Sequence, residues 1–230
     1  PIVYTIVPFL TMRCFEQVRV DLAMHNQKVV LIGVGGGLAY GNLGPTHHSF
    51  EDIALMSLLP NFQVFSPSQP NEGGECLKMA LKHSGPSYIR LGKNGEPDLS
   101  EYIINENIGT KIYCNDPSES DLVISTYGAI TYECIKAALL LIKHNIKVSV
   151  CSIMQVKPIP ESILEICQKH NNIISVEEHS TYHSVGSSLL KQIVEKGFRG
   201  NFKIFGIKDK FTEVVGSREF LLGHHSIDGD

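Results

Sequence analysis

A chain of 230 residues with 43% hydrophobic content is long enough to bury one large core or two smaller ones. Its net charge of −4, with lysines and arginines scattered rather than clustered, argues against nucleic acid or an anionic membrane as partner. The longest apolar stretch, Ala137-Ala-Leu-Leu-Leu-Ile142, falls far short of the roughly 20 residues of a spanning helix, so no membrane segment is expected.

Pro1 to Val7 reads as a short buried strand, and Arg13 to His25 as a helix, with Cys14, Val18 and Leu22 at helical spacing beside Phe15. Lys28-Val-Val-Leu-Ile-Gly33 is the next strand. It feeds Gly35, Gly36 and Gly37, where residues without a Cβ permit turns and close approach. Pro45 stiffens the corner that follows. Ser49 or Thr46 is placed to cap a helix over Ser49 to Leu59, and Glu51 and Asp52 suit its dipole. Phe62 to Phe65 is a strand, Glu72 to His83 a helix, and Gly85 to Leu91 closes on a strand.

Gly92 to Ser120 breaks this rhythm with Gly, Pro, Asn and Asp. It holds one or two strands, such as Lys111-Ile-Tyr113, and reads as a connector. A second series follows: strand Asp121 to Thr126, helix Ile130 to His144, strand Lys147 to Ile153, helix Pro160 to Lys169, strand Ile173 to Val176, helix Val185 to Glu195 and strand Lys203 to Ile207. Strands alternating with helices predict an α/β chain of two successive domains, each a mainly parallel sheet with helices on both faces. The expected division is 1–98, a linker over 99–120, and 121–230. The chain opens on a strand without a methionine and closes on Ser226-Ile-Asp-Gly-Asp230, as if a final helix were about to begin, so it reads as a fragment trimmed at both ends.

Six cysteines at irregular spacings, with no C-x-x-C pair, read as buried, reduced thiols of a cytoplasmic protein. The glycines do not complete a dinucleotide fingerprint, because Gly33 and Gly35 fit but position 38 is leucine. His47 and His48 have no second His or Cys pair at ligand spacing, so no metal site is expected. A glycine loop that holds an imidazole at a strand's C-terminal end is instead where open α/β sheets bind ligands. Glu177, Glu178 and His179 read as a polar strand end at a subunit contact. In an extended strand the two carboxylates point to opposite sides.

Gly44-Pro-Thr-His-His48, Glu51-Asp-Ile-Ala-Leu-Met56, Leu59 to Pro67 and Pro8 to Arg19 together resemble the pyrimidine-binding domain of transketolases. The likeness is closest to the C-terminal subunits of split, two-gene transketolases, with deoxyxylulose-phosphate synthases more distant. Leu122 to Gly128, Ile159-Pro160 and Val176 to His179 resemble the C-terminal domain of the same family, in the expected order. The first domain is then N-terminally incomplete.

The resemblance implies thiamine diphosphate as cofactor and transfer of a two-carbon ketol unit between sugars. It implies that Phe9, Met12 and Phe15 form or back an apolar wall for the aminopyrimidine. His47 would hydrogen-bond substrate hydroxyls and move protons, with His48 supporting it or facing away, and Arg90 would grip the acceptor's phosphate. The activating glutamate belongs to a Glu-Gln motif upstream of Pro1, and Glu16-Gln17 is a different, helical site. The diphosphate and Mg²⁺ fall to a separate N-terminal subunit, and the assembly is a homodimer through these domains.

Two departures stand out. Leu43 replaces an acidic residue that touches a sugar hydroxyl in many relatives, and Gly35 and Gly36 replace a basic residue. The bare glycines are expected to leave room at the mouth of the site. Together these predict that simple aldose phosphates are poor acceptors and that a bulkier or differently charged sugar, such as a nucleotide-linked one, is preferred. The rival readings are a β subunit of a 2-oxoacid dehydrogenase and a non-catalytic assembly subunit that keeps the fold.

Overall fold

The computed structural model describes residues 1–107 and 109–229; Ile108 and Asp230, which fall within the expected linker and second domain, lie outside the described residues. Strand β1 (Ile2–Ile6) runs straight into helix α1 (Val7–Thr11), whose Pro8 occupies a first-turn position where its missing N–H costs nothing. This short helix was not expected. Helix α2 (Phe15–Gln17) continues into Val18–Met24, which widens to π geometry, so the expected Arg13 to His25 helix starts two residues later. After β2 (Val30–Val34) come α3 (Asp52–Leu58), β3 (Gln63–Phe65), α4 (Pro70–Lys82) and β4 (Ser87–Leu91).

The first sheet has the order β1-β2-β4-β3, all parallel. β1 is therefore an edge strand, and the expectation that it is buried is corrected: Tyr4 is 63% exposed and Ile2 and Val3 are also open. Helix α3 is capped by neither Ser49 nor Thr46. Its N-cap position is Glu51, without a side-chain cap, because Ser49 is drawn into a backbone bridge with Gly37.

The stretch expected to link the domains does more than connect. β5 (Ile103–Asn107) and β6 (Thr110–Tyr113) join the second sheet, with β6 antiparallel to β8 (Val148–Ile153). The remaining elements are β7 (Leu122–Thr126), α5 (Thr131–Lys143), β9 (Gln155–Lys157), α6 (Glu161–Gln168), β10 (Asn172–Ser180), α7 (Val185–Glu195), β11 (Asn201–Ile207) and α8 (Arg218–His225). The second sheet has the order β11-β10-β7-β8-β6-β5, parallel from β11 to β8.

β9 leaves the second series and pairs antiparallel with β3, so the first sheet takes a fifth strand from the C-terminal half. The largest apolar core likewise crosses between the sheets, from Leu31, Ile53 and Met56 to Val123, Ile153 and Leu189. At the C-terminal end, Ser226 does not open a helix. It terminates α8 in left-handed backbone with φ of 56°.

Candidate functional site

The site is built on the loop that leaves β2. Gly35 and Gly37 take φ of 87° and 64°, conformations that side-chain-bearing residues rarely adopt. Gly37 then exchanges two backbone hydrogen bonds of 3.0 Å with Ser49, which closes a loop carrying Tyr40, Leu43, His47 and His48. The expectation that the glycines leave room is corrected. A Cβ on Gly35 would fall within the Tyr40 ring, and one on Gly36 would meet the Arg90 guanidinium. A Cβ on Gly37 would come within 2.6 Å of the Glu178 carboxylate. The absent side chains are replaced by three incoming ones.

His47 is half-buried beside two aromatic rings. Its ring centroid lies 5.4 Å from Phe9 and 6.4 Å from Tyr40, with interplanar angles of 73° and 72°. The Thr46 hydroxyl sits 3.0 Å from Nδ1, which leaves Nε2 without a hydrogen bond among the described residues. Two exposed cations frame the group: the Arg13 guanidinium lies 4.3 Å from the Phe9 ring centre and the Lys93 ammonium 5.4 Å from that of Tyr40. Met12 is half-buried at the end of α1, whereas Phe15 packs against the main core and can only back the wall. Leu43, on the same turn as His47, is 53% exposed.

His48 faces away from its neighbour. It is buried, its Nε2 is 3.3 Å from the Gly41 carbonyl, and its ring lies 5.6 Å from Phe50.

Arg90 is placed differently from the expected phosphate grip. It is buried, its Nε is 3.2 Å from Asp52, and its Nη2 donates to the carbonyls of Ser49 at 3.0 Å and Glu178 at 2.9 Å. Burial alone would lower the guanidinium's pKa, but Asp52 beside it leaves the pKa raised. The Tyr88 hydroxyl donates to the same Asp52 oxygen at 2.7 Å, and burial followed by that carboxylate pushes Tyr88 well above its ordinary range. A phosphate reaching Arg90 would have to displace a buried carboxylate and two carbonyls. Arg13 and Lys93 are exposed cations on the two rings that flank His47.

The expectation of a polar subunit contact at Glu177 to His179 is also corrected, because all three are buried within this chain. Glu177 accepts from the Tyr127 hydroxyl at 2.8 Å and from the Val185 and Gly186 amides at 3.0 and 2.7 Å, which places a carboxylate at the N-terminus of α7. Glu178 points the other way. It accepts from the Leu38 amide at 2.6 Å and is paired with Arg218 at 2.6 Å, so it pins the glycine loop to the second sheet. Tyr40 and Lys93 carried no motif or periodicity that marked them, and the family-like runs that hold Arg13, Asp52 and Glu178 did not point to the contacts these three make. A charge two residues beyond the end of β4 was the only available pointer to Lys93.

Burial lowers the pKa values of His48, His179 and His225, which favours neutral imidazoles in the folded chain. An unfolded histidine titrates near 6.5, so below that pH the unfolded chain binds more protons and stability falls. The urea midpoint is therefore expected to be lower at pH 5.5 than at pH 7.5. An equal or higher midpoint at pH 5.5 would contradict the burial of neutral rings.

The family description "Transketolase, pyrimidine binding domain" matches residues 1–96, and "Transketolase, C-terminal domain" matches residues 114–225. The chain is 34% identical over 231 residues to an apulose-4-phosphate transketolase subunit of Actinobacillus succinogenes, covering 97% of this chain and 71% of that protein. It is 33% identical to "1-deoxy-D-xylulose-5-phosphate synthase" of Thermotoga maritima, over 96% of this chain and 35% of the relative. Among solved structures, "Split gene transketolase, inactive beta4 tetramer" superposes with a TM-score of 0.82 at 27% identity, covering 100% of this chain and 72% of that one.

Proposed function

This chain belongs to the transketolase family, and on that premise we propose that it is the C-terminal subunit of a split transketolase, transferring a two-carbon ketol unit between sugars. The observation that carries this reading is similarity along nearly its whole length to a protein named as a transketolase subunit. A family relative named as a β4 tetramer lends weight to self-association, and a homodimer is the assembly we propose. A 2-oxoacid dehydrogenase subunit is not favoured, since the relatives are named as transketolase subunits and deoxyxylulose-phosphate synthases.

The residues present suit an aromatic heterocycle held in part by this chain. Phe9 offers a half-buried ring whose edge meets His47, with Met12 nearby along α1 and Phe15 behind in the core. Thiamine diphosphate, when bound, supplies the nucleophilic carbon of ketol transfer. The diphosphate and Mg²⁺ fall to a separate N-terminal subunit. His47, anchored by Thr46 through Nδ1, keeps Nε2 for hydrogen bonds to sugar hydroxyls and for proton movement. Arg13 and Lys93, rather than Arg90, meet the phosphate of a phosphorylated sugar.

Of the two grounds for a non-standard acceptor, the open glycine loop is removed by Tyr40 and Arg90. Leu43 stands, and it sets an apolar surface where a carboxylate would accept a hydroxyl. A phosphorylated sugar that tolerates an apolar contact at that position is the acceptor we propose.

The test is reconstitution. The purified chain with thiamine diphosphate and Mg²⁺ is expected to show no ketol transfer. Adding the diphosphate-binding partner restores it, without 2-oxoacid decarboxylation to a lipoyl acceptor, and sedimentation shows two copies of each chain. Turnover by the chain alone would overturn the division of labour, and decarboxylation in place of ketol transfer would favour the dehydrogenase.

A further inference from the structure

Tyr40 stands where the glycine loop, the imidazole and an exposed cation meet. Gly35 has φ of 87°, and a Cβ there would fall within the Tyr40 ring, so a side chain at 35 and the ring at 40 exclude one another. The ring thus fills, from the turn, the volume that a loop side chain would take. It lies 6.4 Å from the His47 ring between centroids at an interplanar angle of 72°, and Lys93 lies over it at 5.4 Å. Tyr40 is only half-buried, and its hydroxyl makes no hydrogen bond to another described residue. Its hydroxyl is therefore left to pair with a ligand bound beside His47.

We infer that Tyr40 is a specificity-determining residue: its hydroxyl bonds the sugar's oxygens beyond His47, and its ring sets how large a sugar the site admits. The inference rests on the ketol-transfer reading. A site that presents a fixed hydroxyl to a sugar selects sugars able to pair with it, because an unmatched polar group at a partly desolvated site is unfavourable. The ring also closes the space above Gly35, so the size limit comes from Tyr40 and not from a side chain at 35. Tyr40→Phe keeps the ring, the His47 contact and the Lys93 contact while removing only the hydroxyl. Tyr40→Ala removes the size limit as well.

The experiment uses the assembled enzyme with both subunits. For Tyr40→Phe, kcat/KM with ribose 5-phosphate is expected to fall about tenfold, mainly through KM, as for loss of one hydrogen bond. The loss in kcat/KM for hydroxypyruvate, a three-carbon donor with fewer hydroxyls to pair, is expected to be smaller. For Tyr40→Ala, the ratio of kcat/KM for a seven-carbon over a five-carbon sugar phosphate rises at least tenfold. Wild-type values in Tyr40→Phe, or an equal loss with hydroxypyruvate, would overturn the inference while leaving ketol transfer intact. Absence of ketol transfer in the wild-type assembly would overturn the reading and the inference with it.

Discussion

Replacing His47 by alanine in the assembled enzyme is expected to lower kcat by about two to four powers of ten, the usual cost of a lost proton-transferring group. The geometry makes the effect specific. Nδ1 is occupied by the Thr46 hydroxyl, so Nε2 is the nitrogen left for the sugar, and the Phe9 and Tyr40 edges fix the ring's orientation. Imidazoles are the side chains suited to exchanging protons near neutral pH. The ring is half-buried and lies outside the apolar cores, so its removal leaves the fold and thiamine binding nearly intact. Steady-state ketol transfer alongside calorimetric titration of the cofactor separates the two effects. An unchanged kcat would make His47 a structural residue, and a lost cofactor affinity would make it part of the cofactor's seat.

Arg90→Ala is expected to destabilise the chain by about 3–5 kcal/mol, the cost typical of removing one partner from a buried ion pair. That is a large share of the roughly 5–15 kcal/mol that holds a domain together. Among the described residues, the substitution leaves buried Asp52 with only the Tyr88 hydroxyl, and it takes a donor from the carbonyls of Ser49 and Glu178. The loss also loosens the seam between the sheets, since Ser49 follows the His47 turn and Glu178 belongs to β10. Urea unfolding gives the magnitude. Adding Asp52→Asn to Arg90→Ala is expected to recover part of the loss, because the stranded charge is then gone. A cost below about 1 kcal/mol for Arg90→Ala would mean that the buried cluster contributes little. If Arg90→Lys folds as the wild type but loses affinity for sugar phosphates, the phosphate grip first expected of Arg90 is restored.

The alternation of strands and helices, the family and the loop that carries His47 were all legible in the amino-acid order. These rest on short-range patterns: the periodicity of Val30 to Val34 or Val185 to Glu195, and runs such as Gly44-Pro-Thr-His47, are complete within a few residues. Pairing across long separations emerges in the folded chain alone. Arg90 finds the Glu178 carbonyl 88 positions away, and Glu178 finds the Leu38 amide 140 positions away. A charged residue near a strand end looks the same in sequence whether it faces a ligand or a buried carboxylate. The glycines were ambiguous for the same reason. A missing Cβ marks close approach but not what approaches, and here Tyr40, Arg90 and Glu178 fill the space. The edge position of β1 and the passage of β9 into the first sheet likewise depend on which strands neighbour each other. Apolar content specifies that a strand can pair, whereas burial is set by what packs on it.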